Sequence, residues 1–312
     1  MLEELERLEG ILRCPSTGQP VLRDSDGWMH DESGSRRYPV IDGIPVLIDF
    51  GNSVLDRETV LAERAKTVIA RPHYAGPLRL IKRVLSPDKV STRRNVKAFI
   101  DKVTRDDPSP LILVIGGGTV GQGMAPLYGH PTLRVVAFDI YRSVATQFVA
   151  DAHNIPLGDG SVDGVVIQAV LEHVLEPQRV VDEIWRVLAP GGSVYAETPF
   201  LQHVHEGAYD FTRFTESGHR YLFRKFALIQ SGVNGGAGTQ LMWSIDYFMR
   251  GVFRSRRAGK LFKLLFAWLR VFDRIIPEAY ASDAASGVYF MGTKVDTAIQ
   301  QRDIISFYRG SQ

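Results

Sequence analysis

The chain contains 312 residues, carries a formal net charge of +2 and has the apolar and charged fractions of an ordinary globular protein. The near-neutral charge gives no argument for nucleic-acid binding by the molecule as a whole. The single cysteine, Cys14, excludes a disulfide framework and a zinc site built from several cysteines. The N-terminus is acidic and amphipathic, and no apolar run reaches the ~18 residues of a membrane span, so we expect a cytoplasmic protein.

Residues 1–50 are predicted to form a small β-rich module, because dipeptides typical of turns separate short apolar runs. The strings CPST at 14–17 and YPVIDGIPVLI at 38–48 resemble a small zinc-ribbon-related domain, which occurs alone or as an activating partner of tRNA and protein methyltransferases. Metal-binding members carry paired CxxC ligands, of which this chain keeps only Cys14. Because four-coordinate zinc needs four ligands, we expect this module to be metal-free.

Residues 51–108 are expected to form a helical connector, because apolar residues recur at helical spacing over 54–69, 77–85 and 90–103. The connector is also rich in basic side chains, which we interpret as a solvated helix face. These basic residues are Arg79, Lys82, Arg83, Lys89, Arg93, Arg94 and Lys97. The sequence from Asp106 to Pro110 then breaks the helix and begins a core domain, predicted over 109–296.

A cofactor-binding unit is predicted from Leu111 to Asp139. The apolar run at 111–115 is typical of a strand buried on both faces, and it leads directly into Gly116, Gly117 and Gly118. Glycines let the backbone turn tightly and approach a ligand closely. A second apolar run ends on Asp139, about 20 residues on, where a carboxylate can accept hydrogen bonds from ribose hydroxyls. The pattern predicts a nucleotide-type cofactor at the switch point of a doubly wound sheet.

The next segments predict further alternation of strands and helices up to residue 200. We expect a helix beginning near Val120 and another between Asp139 and a third strand at 147–150. A fourth strand is predicted at 164–169 and a fifth at 193–197. The helix between them, at 179–188, is expected to be capped by the glycines of Ala189-Pro190-Gly191-Gly192.

The order of these motifs resembles that of the class I S-adenosylmethionine-dependent methyltransferases, in particular the type 11 branch. The strings that carry the resemblance are the glycine turn, Asp139, DAHNIPLGDGSVDGVV, LEHV and EIWRVLAPGGSVYAETP. The resemblance covers about residues 111–200. It implies an α/β fold with a doubly wound, mostly parallel sheet of seven strands, and S-adenosylmethionine as the cofactor.

The resemblance also implies the roles of particular residues toward that cofactor. Asp139 would bind the ribose hydroxyls, Asp151 and Ala152 would flank the adenine, and Gln168 would face the methionine part. The complete expected set is Gly116, Gly117, Gly118, Asp139, Ile140, Asp151, Ala152 and Gln168. Val114 departs from the family, which usually has an acidic residue there, and Val120 stands where its third glycine is expected. The residue that contacts the cofactor's ammonium group is therefore not assigned.

The segment 201–226 is dense in ionisable and aromatic residues and follows the fifth strand, at the edge of the sheet where ligands bind. We expect His203 or His205 to act as a general base toward a hydroxyl acceptor, with Asp210 as a further catalytic candidate. Tyr209 and Arg213 are expected to bind the substrate. The alternative is a hydrogen-bonded lid whose phenylalanines pack. No metal site is expected, and His173 is expected to pack beneath the sheet.

Strands six and seven are predicted at 227–233 and 286–294, separated by a helical insert at 235–280 with a second helix from Lys260 to Ile276. Basic and apolar residues alternate over 250–276, a pattern typical of a helix that lies on an anionic membrane, on its own core or on a second subunit of a homodimer. Residues 297–312 are expected to form a polar, frayed tail.

The sequence therefore predicts a methyltransferase acting by O-methylation on a small-molecule, sugar or lipid-linked acceptor. The YDFTRFT string at 209–215 resembles chains encoded near bacterial surface-polysaccharide genes, which favours a glycan acceptor. One alternative is a tRNA or rRNA methyltransferase, although nucleic acid is the less favoured partner. Another is a catalytically silent scaffold with the same fold. The expected location is the cytoplasm or the membrane periphery.

Overall fold

The computed structural model describes residues 2–62 and 90–312. The helical segments expected at 63–69 and 77–85 lie outside the described residues, as do the basic residues Arg79, Lys82, Arg83 and Lys89. The described helices are α1 (Arg57–Leu61), α2 (Val90–Asp106), α3 (Ala125–Tyr128), α4 (Pro177–Val187), α5 (Glu216–Leu222), α6 (Ala237–Phe253), α7 (Arg256–Leu265) and α8 (Glu278–Asp283). Short 3-10 helices lie at Leu5–Arg7, Phe50–Asn52, Leu171–His173, Gly207–Tyr209, Ala267–Arg274 and Gln301–Phe307.

The described strands form one large sheet and one small sheet. They are β1 (Val21–Arg23), β2 (Met29–Asp31), β3 (Arg37–Tyr38), β4 (Val40–Ile41), β5 (Ile44–Leu47), β6 (Leu111–Ile115), β7 (Arg134–Asp139), β8 (Phe148–Ala150), β9 (Val162–Gln168), β10 (Leu188–Pro199), β11 (Phe226–Gly235) and β12 (Gly287–Lys294). The large sheet has nine described strands in the order β11-β12-β10-β9-β6-β7-β8-β5-β4.

The seven strands from β6 to β12 confirm the doubly wound, mostly parallel sheet that the sequence predicts. The strands β8, β7, β6, β9 and β10 are parallel, and β12 pairs antiparallel with both β10 and β11. Every residue of β6 is buried, as expected for a strand covered on both faces. The chain reverses its winding at β6, so the carboxyl ends of β6 and β9 form the crevice in which such folds bind ligands.

Helices cover both faces of this sheet. On one face, α2 buries Val96, Phe99 and Ile100 against residues of the central strands. On the other, α4 buries Val180 and Ile184 in a larger cluster that also contains residues from the N-terminal segment. The periodic apolar residues of these two helices explain why both were predictable from the sequence.

The N-terminal module differs from expectation in where it ends. Strands β1 to β3 form the predicted small antiparallel sheet. Strand β5, however, pairs parallel with β8, with Val46 opposite Val149 and Leu47 opposite Ala150. Without β5, the edge of β8 would expose unpaired backbone groups, which folded proteins usually cover. The segment 40–47 therefore belongs to the large sheet and links residues 1–50 to the core.

The helix predicted between Asp139 and β8 is absent from residues 140–147, all of which the structure describes. Ser143 and Thr146 instead bond to the local backbone: Ser143 Oγ accepts from Ala145 N–H, and Thr146 Oγ1 donates to the Ser143 carbonyl. Such side-chain bonds compete with helix formation. Arg142 also donates to the carbonyl of Ala62, which ties this turn to the end of α1.

Three other helix boundaries were predicted incorrectly. The helix expected near Val120 begins at Ala125, and the single helix expected over 260–276 breaks after Leu265 into a 3-10 segment. The Gly191-Gly192 pair does not cap α4, because Leu188 is already extended and pairs with Val162. Gly191, with φ of +77°, lies at the irregularity in β10 between Leu188 and Ser193.

The C-terminal residues, expected to fray, pack against α5 and the adjoining turn. The N–H of Ile299 donates to the carbonyl of Arg224 over 2.9 Å. The ring of Phe307 lies 4.8 Å from the guanidinium carbon of Arg220. In the described parts of the chain, no helix combines the length and apolar character needed to cross a bilayer.

Candidate functional site

A cavity of about 410 Å³ opens at the carboxyl ends of β6, β7, β8 and β9. Open α/β sheets place their ligand sites at this edge. Its lining includes most of the residues that the sequence assigned to the cofactor, namely Gly116, Asp139, Ile140, Asp151, Ala152 and Gln168. Gly117 and Gly118 belong to the turn that follows β6, and they are not among the residues that line the cavity. The fold thus gathers at one cavity residues that are far apart along the chain.

The turn after β6 runs so close to its neighbours that it has no room for side chains. A Cβ on Gly116 would lie 2.3 Å from Cγ2 of Val170, and a Cβ on Gly118 would lie 2.7 Å from Oδ2 of Asp139. Gly116 also has φ of +75°, a conformation that favours glycine. The backbone N–H of Gly118 donates to Asp139 Oδ2 over 2.8 Å. The glycines therefore bring the turn into direct contact with the carboxylate at the end of β7.

The carboxylate of Asp139 is held in a fixed orientation by backbone donors. Its Oδ2 accepts from Gly118 N–H, and its Oδ1 accepts from Ile140 N–H over 2.8 Å. A carboxylate oxygen has lone pairs for more than one hydrogen bond, so the group can also accept from the hydroxyls of a ligand. This geometry suits the ribose role expected for Asp139.

The end of the cavity expected to hold the adenine is closed by the N-terminal segment. Val54 and Leu55 line the cavity, and the hydroxyl of Ser53 donates to Oδ2 of Asp151. Oδ1 of Asp151 accepts from the backbone N–H of His153 over 3.0 Å and lies 2.6 Å from its Nδ1. Since His153 Nε2 accepts from Glu176 N–H, the imidazole proton is on Nδ1 and is donated to Asp151.

These contacts decide the charge of Asp151. Burial by itself would raise its pKa, but the hydrogen bonds from His153 and Ser53 outweigh burial and hold the pKa below its ordinary value. Sequence reasoning missed both partners. Ser53 is 98 residues away along the chain, so nothing in the sequence near Asp151 indicates the contact.

A buried carboxylate lies behind the end of the cavity expected to hold the methionine part. Gln168 Nε2 donates to Glu197 Oε2 over 2.8 Å and to the carbonyl of Gln122 over 3.2 Å. The hydroxyls of Thr92 and Tyr195 donate to Glu197 Oε1. Val114 is buried and lines the cavity with an apolar surface. Glu197, on β10, therefore orients Gln168 from behind the cavity, while the wall at position 114 is apolar.

The residues present fit the nucleoside part of S-adenosylmethionine. The turn approaches the cavity without side chains, backbone donors orient the Asp139 carboxylate, and Val54, Leu55 and Ala152 give the cavity apolar walls. This combination of an apolar pocket with a few well-placed polar groups is typical of a cofactor site.

The same cavity is also lined by His173, His205, Glu206 and Tyr209. The imidazole rings of His173 and His205 lie 5.0 Å apart. Oε1 of Glu172, whose residue is only 1% exposed, lies 3.6 Å from His173 Nε2 and 3.7 Å from His205 Nε2. We call these three residues, Glu172, His173 and His205, the Glu172 cluster. It places ionisable groups beside the cofactor region.

His173 was expected to pack beneath the sheet, and the structure corrects this: its ring lines the cavity. Its Nδ1 is 2.7 Å from the carbonyl oxygen of Tyr209, which turns Nε2 toward Glu172. Burial lowers the pKa of His173 below its ordinary value and outweighs the opposing effect of the Tyr209 carbonyl. The LEHV string carries both Glu172 and His173, but the importance of the pair emerges only where the loop 201–215 meets it.

Three of the residues expected to catalyse or bind substrate lie outside the lining of this cavity. His203, Asp210 and Arg213 line a neighbouring groove together with Tyr247. His203 stacks on Tyr247, with ring centroids 4.4 Å apart and planes at 15°. Their placement favours a structural role over the catalytic or substrate-binding role that the sequence suggested.

Asp210 and Arg213 form an ion pair that shapes the loop. Arg213 donates to both carboxylate oxygens of Asp210 and to the carbonyls of Gln202 and His203. Asp210 Oδ2 also accepts from the backbone N–H of His205 over 2.9 Å. Burial would raise the pKa of Asp210, but these hydrogen bonds and the Arg213 charge prevail and lower it to about 2. The ion pair therefore fixes the backbone of His205 through the hydrogen bond from its N–H to Asp210.

The central part of the chain is similar to a known protein family. Residues 113–196 match the family model described as a methyltransferase domain. A demethylmenaquinone methyltransferase of Clavibacter sepedonicus is 47% identical over 97 residues, which cover 27% of this chain and 38% of that protein. An uncharacterized 37.1 kDa protein in transposon TN4556 of Streptomyces fradiae is 26% identical over 163 residues, covering 48% of this chain and 46% of that protein. The chain thus spans less than half the length of each of these curated relatives.

Among solved structures, phosphoethanolamine N-methyltransferase 2 of Haemonchus contortus in complex with S-adenosyl-L-methionine is similar at a TM-score of 0.41 and 15% identity. The similarity covers 72% of this chain and 61% of that one. The domain match confirms S-adenosylmethionine as the cofactor expected for this cleft. The match does not extend to residues 1–50, so the resemblance of that module to the zinc-ribbon-related domain stays a prediction.

Proposed function

We propose that this chain, whose residues 113–196 belong to the methyltransferase domain family, transfers a methyl group from S-adenosylmethionine to a hydroxyl of a small-molecule acceptor. The observation that carries the proposal is the single cavity shared by the cofactor-binding turn and the Glu172 cluster. A glycan hydroxyl is the acceptor type that the sequence of the loop 201–215 favours.

The bound cofactor would supply a methyl group on a positively charged sulfur. This protein would hold the cofactor at two places: the Asp139 carboxylate at the ribose, and the backbone of the glycine turn with Gln168 at the methionine part. Transfer to a hydroxyl oxygen forms a C–O bond, leaves the electrons of the S–C bond on sulfur and releases the hydroxyl proton. Much of the acceleration in such a displacement can come from orientation of the reactants.

The Glu172 cluster is the place at which the acceptor hydroxyl would bind. His173 and His205 both line the cavity and direct their Nε2 atoms toward Glu172. The cluster would stabilise the acceptor hydroxyl as it loses its proton. A nitrogen acceptor would not need this help to the same degree, so the cluster supports O-methylation.

The cofactor part of the proposal is tested by calorimetric titration of the purified chain with S-adenosylhomocysteine, the demethylated cofactor. We expect saturable binding by the wild type and its loss in Asp139→Ala, because the change removes the carboxylate that would accept from the ribose. Asp101→Ala is the matched control, since Asp101 is exposed on α2, and it should bind as the wild type does. Folded wild-type protein that takes up no cofactor at millimolar concentration would contradict the proposal.

We further propose that the acceptor is reached at an anionic membrane surface, as expected for a lipid-linked molecule. Residues 247–276 carry eight basic residues and one acidic residue. The same segment exposes an unusual number of large apolar side chains: Phe248, Val252, Phe253, Leu261, Leu264, Leu265, Trp268, Val271, Phe272 and Ile275. Monomeric proteins rarely expose large apolar patches, and the basic residues of this segment are complementary in charge to anionic headgroups.

Co-sedimentation with lipid vesicles tests this surface. We expect the protein to bind phosphatidylglycerol vesicles more strongly than phosphatidylcholine vesicles, and Trp268→Glu with Leu265→Glu to abolish the binding. Ile305→Glu is the control, because Ile305 is 77% exposed and lies outside the insert. Equal binding by the double variant, or a concentration-dependent dimer that buries the insert and leaves no vesicle binding, would refute membrane contact.

A further inference from the structure

The Glu172 cluster collects three ligand atoms of the types that bind metals. The atoms are a carboxylate oxygen of Glu172 and one ring nitrogen each of His173 and His205, and all lie within 4.8 Å of one another. The distances from Glu172 Oε1 to the two Nε2 atoms are 3.6 and 3.7 Å. Both imidazoles line the cavity, while Glu172 is buried beneath them. The cluster is therefore reached from the cavity through the histidines.

The hydrogen bonds behind the two rings determine which nitrogen carries the proton. His173 Nδ1 lies 2.7 Å from the carbonyl oxygen of Tyr209, and a carbonyl can only accept. His205 Nδ1 lies 3.3 Å from Asp210 Oδ2 and 3.3 Å from the carbonyl of His203, which are again acceptors. In the neutral form, each ring thus has its proton on Nδ1 and a lone pair on Nε2.

Two lone pairs and a carboxylate therefore converge on one small volume. Such an arrangement is stabilised by a cation placed between the three atoms. Acceptor partners at the second nitrogen are also what metal-binding histidines usually have, because they fix the ring orientation and the tautomer. The loop 201–215 supplies these partners for both rings.

We propose that Glu172, His173 and His205 form a binding site for a divalent transition-metal ion. A donor set of two imidazoles and one carboxylate suits ions such as Zn²⁺, Co²⁺ or Fe²⁺ and leaves coordination positions open toward the cavity. Metal–ligand bonds of about 2.0–2.1 Å place tetrahedral ligands about 3.3 Å apart. The two distances from Glu172 to the histidines therefore need to shorten by only a few tenths of an ångström, whereas the two ring nitrogens, which lie within 4.8 Å of each other, have to approach by up to about 1.5 Å.

The position of the site gives the ion a role that rests on the proposed function. The open coordination positions would face the acceptor end of the cavity, where an ion can hold a hydroxyl oxygen and make its proton easier to lose. The acceptor class would then be a hydroxyl or a diol of a small molecule. Ion binding itself requires only the three side chains and the loop that positions them.

Titration of the metal-free, purified chain with Co²⁺ or Zn²⁺ tests the site directly. We expect the wild type to bind one ion per chain, and Co²⁺ to develop the visible absorption of a low-symmetry nitrogen–oxygen site. Glu172→Gln and His205→Gln should each weaken binding by about tenfold or more. His203→Gln is the matched control, because it removes a histidine of the same loop that stacks on Tyr247, outside the cluster.

The outcomes separate this inference from the proposed function. Thermal unfolding and S-adenosylhomocysteine binding are measured on the same preparations, so that a variant that fails to fold is recognised. Wild type that binds the cofactor but no metal, or equal metal affinity in wild type, Glu172→Gln and His205→Gln, would overturn the metal site alone. Metal binding without any cofactor binding would overturn the proposed function and leave the metal site supported.

Discussion

Asp139 and Gly118 act as one unit at the residue scale, because the backbone of one holds the carboxylate of the other. The N–H of Gly118 donates to Asp139, and the position of a Cβ at Gly118 overlaps both Asp139 and the ring of Tyr141. The glycine is therefore needed even before any ligand binds. This explains in physical terms why a glycine turn and a distant acidic residue occur together in the sequence.

Gly118→Ala should impair cofactor binding without unfolding the protein. Overpacking by one methyl group typically costs about 1–3 kcal/mol, and here it would displace the ribose-binding carboxylate. We expect the affinity for S-adenosylhomocysteine to fall by about tenfold or more in calorimetric titration. Gly251→Ala, where no atom lies within 4 Å of the added Cβ, should bind as the wild type does. Equal affinities of both variants would show that the contact is not limiting.

His219 is a buried histidine without a role at the cavity. It lies on α5 among Phe214, Phe223 and Phe290, and its Nε2 has no hydrogen-bond partner among the described residues. Burial lowers the pKa of His219 to about 3. The side chain is therefore neutral in the folded protein at pH values where the unfolded chain takes up a proton.

This difference predicts how stability depends on pH. Between about pH 6.5 and 3 the unfolded state binds one proton more at this position, so the free energy of unfolding should fall by up to about 1.4 kcal/mol per pH unit as the pH decreases. His219→Phe keeps an aromatic ring but cannot be protonated. Urea unfolding at several pH values should give a shallower acid slope for the variant, and identical slopes would exclude His219 as the cause.

At the scale of elements, the loop 201–215 determines the acceptor side of the cavity. Arg213 binds Asp210 and two carbonyls of the loop, and Asp210 binds the backbone of His205. These bonds are internal to the loop and lie behind the histidine that faces the cavity. The loop thus has the internal hydrogen bonds of the lid that the sequence offered as an alternative, and it also places His205 in the lining of the cavity.

Arg213→Ala should loosen this loop and leave the cofactor side unchanged. The change leaves Asp210, whose side chain is only 1% exposed, without its ion-pair partner, which is costly for a buried charge. We expect faster hydrogen exchange over residues 202–213 and an unaltered affinity for S-adenosylhomocysteine. Arg302→Ala, at a well-exposed arginine near the C-terminus, is the control and should change neither. Unchanged exchange in the loop of Arg213→Ala would show that the ion pair does not brace it.

At the scale of the whole molecule, the N-terminal fifty residues are part of the core. Strand β5 extends the large sheet, and Leu8 and Leu12 are buried in the same apolar cluster as residues of α4. The segment that follows brings Ser53 to Asp151 and closes the cavity with Val54 and Leu55. The module and the cofactor site are therefore coupled through one continuous sheet.

Deletion of residues 1–50 should prevent stable folding of the remainder. Each fully buried leucine or valine contributes about 1.5–3 kcal/mol, and several of them together match a typical total stability of about 5–15 kcal/mol. We expect the shortened chain to lose its cooperative thermal transition, followed by circular dichroism, and its affinity for S-adenosylhomocysteine. A shortened chain that melts cooperatively at the wild-type temperature would show that residues 1–50 form an independent module.

The buried strands of the core and the position of the glycine turn beside Asp139 were predictable from the amino-acid sequence alone. A buried parallel strand such as β6 is visible in the sequence as a continuous apolar run. The glycine turn and Asp139 are visible because they follow two successive strands at a characteristic spacing. The local backbone conformation restricts which residue types fit a tight turn or a strand end, so glycines and carboxylates at these places can be recognised without the tertiary structure. The expectation of a doubly wound sheet of seven strands came from the resemblance of these motifs to the class I methyltransferases.

The grouping of Glu172, His173 and His205 and the true extent of the core became visible in the folded chain alone. Glu172, His173 and His205 come from two segments that meet through loop packing, and β5 reaches β8 from about 100 residues away. Side-chain bonds of Ser143 and Thr146 stand where a helix was predicted between Asp139 and β8. Contacts of this kind form between segments that are far apart along the chain, and they leave no periodic signal in the sequence. In this protein such contacts determine which residues face the cavity and which support it from behind.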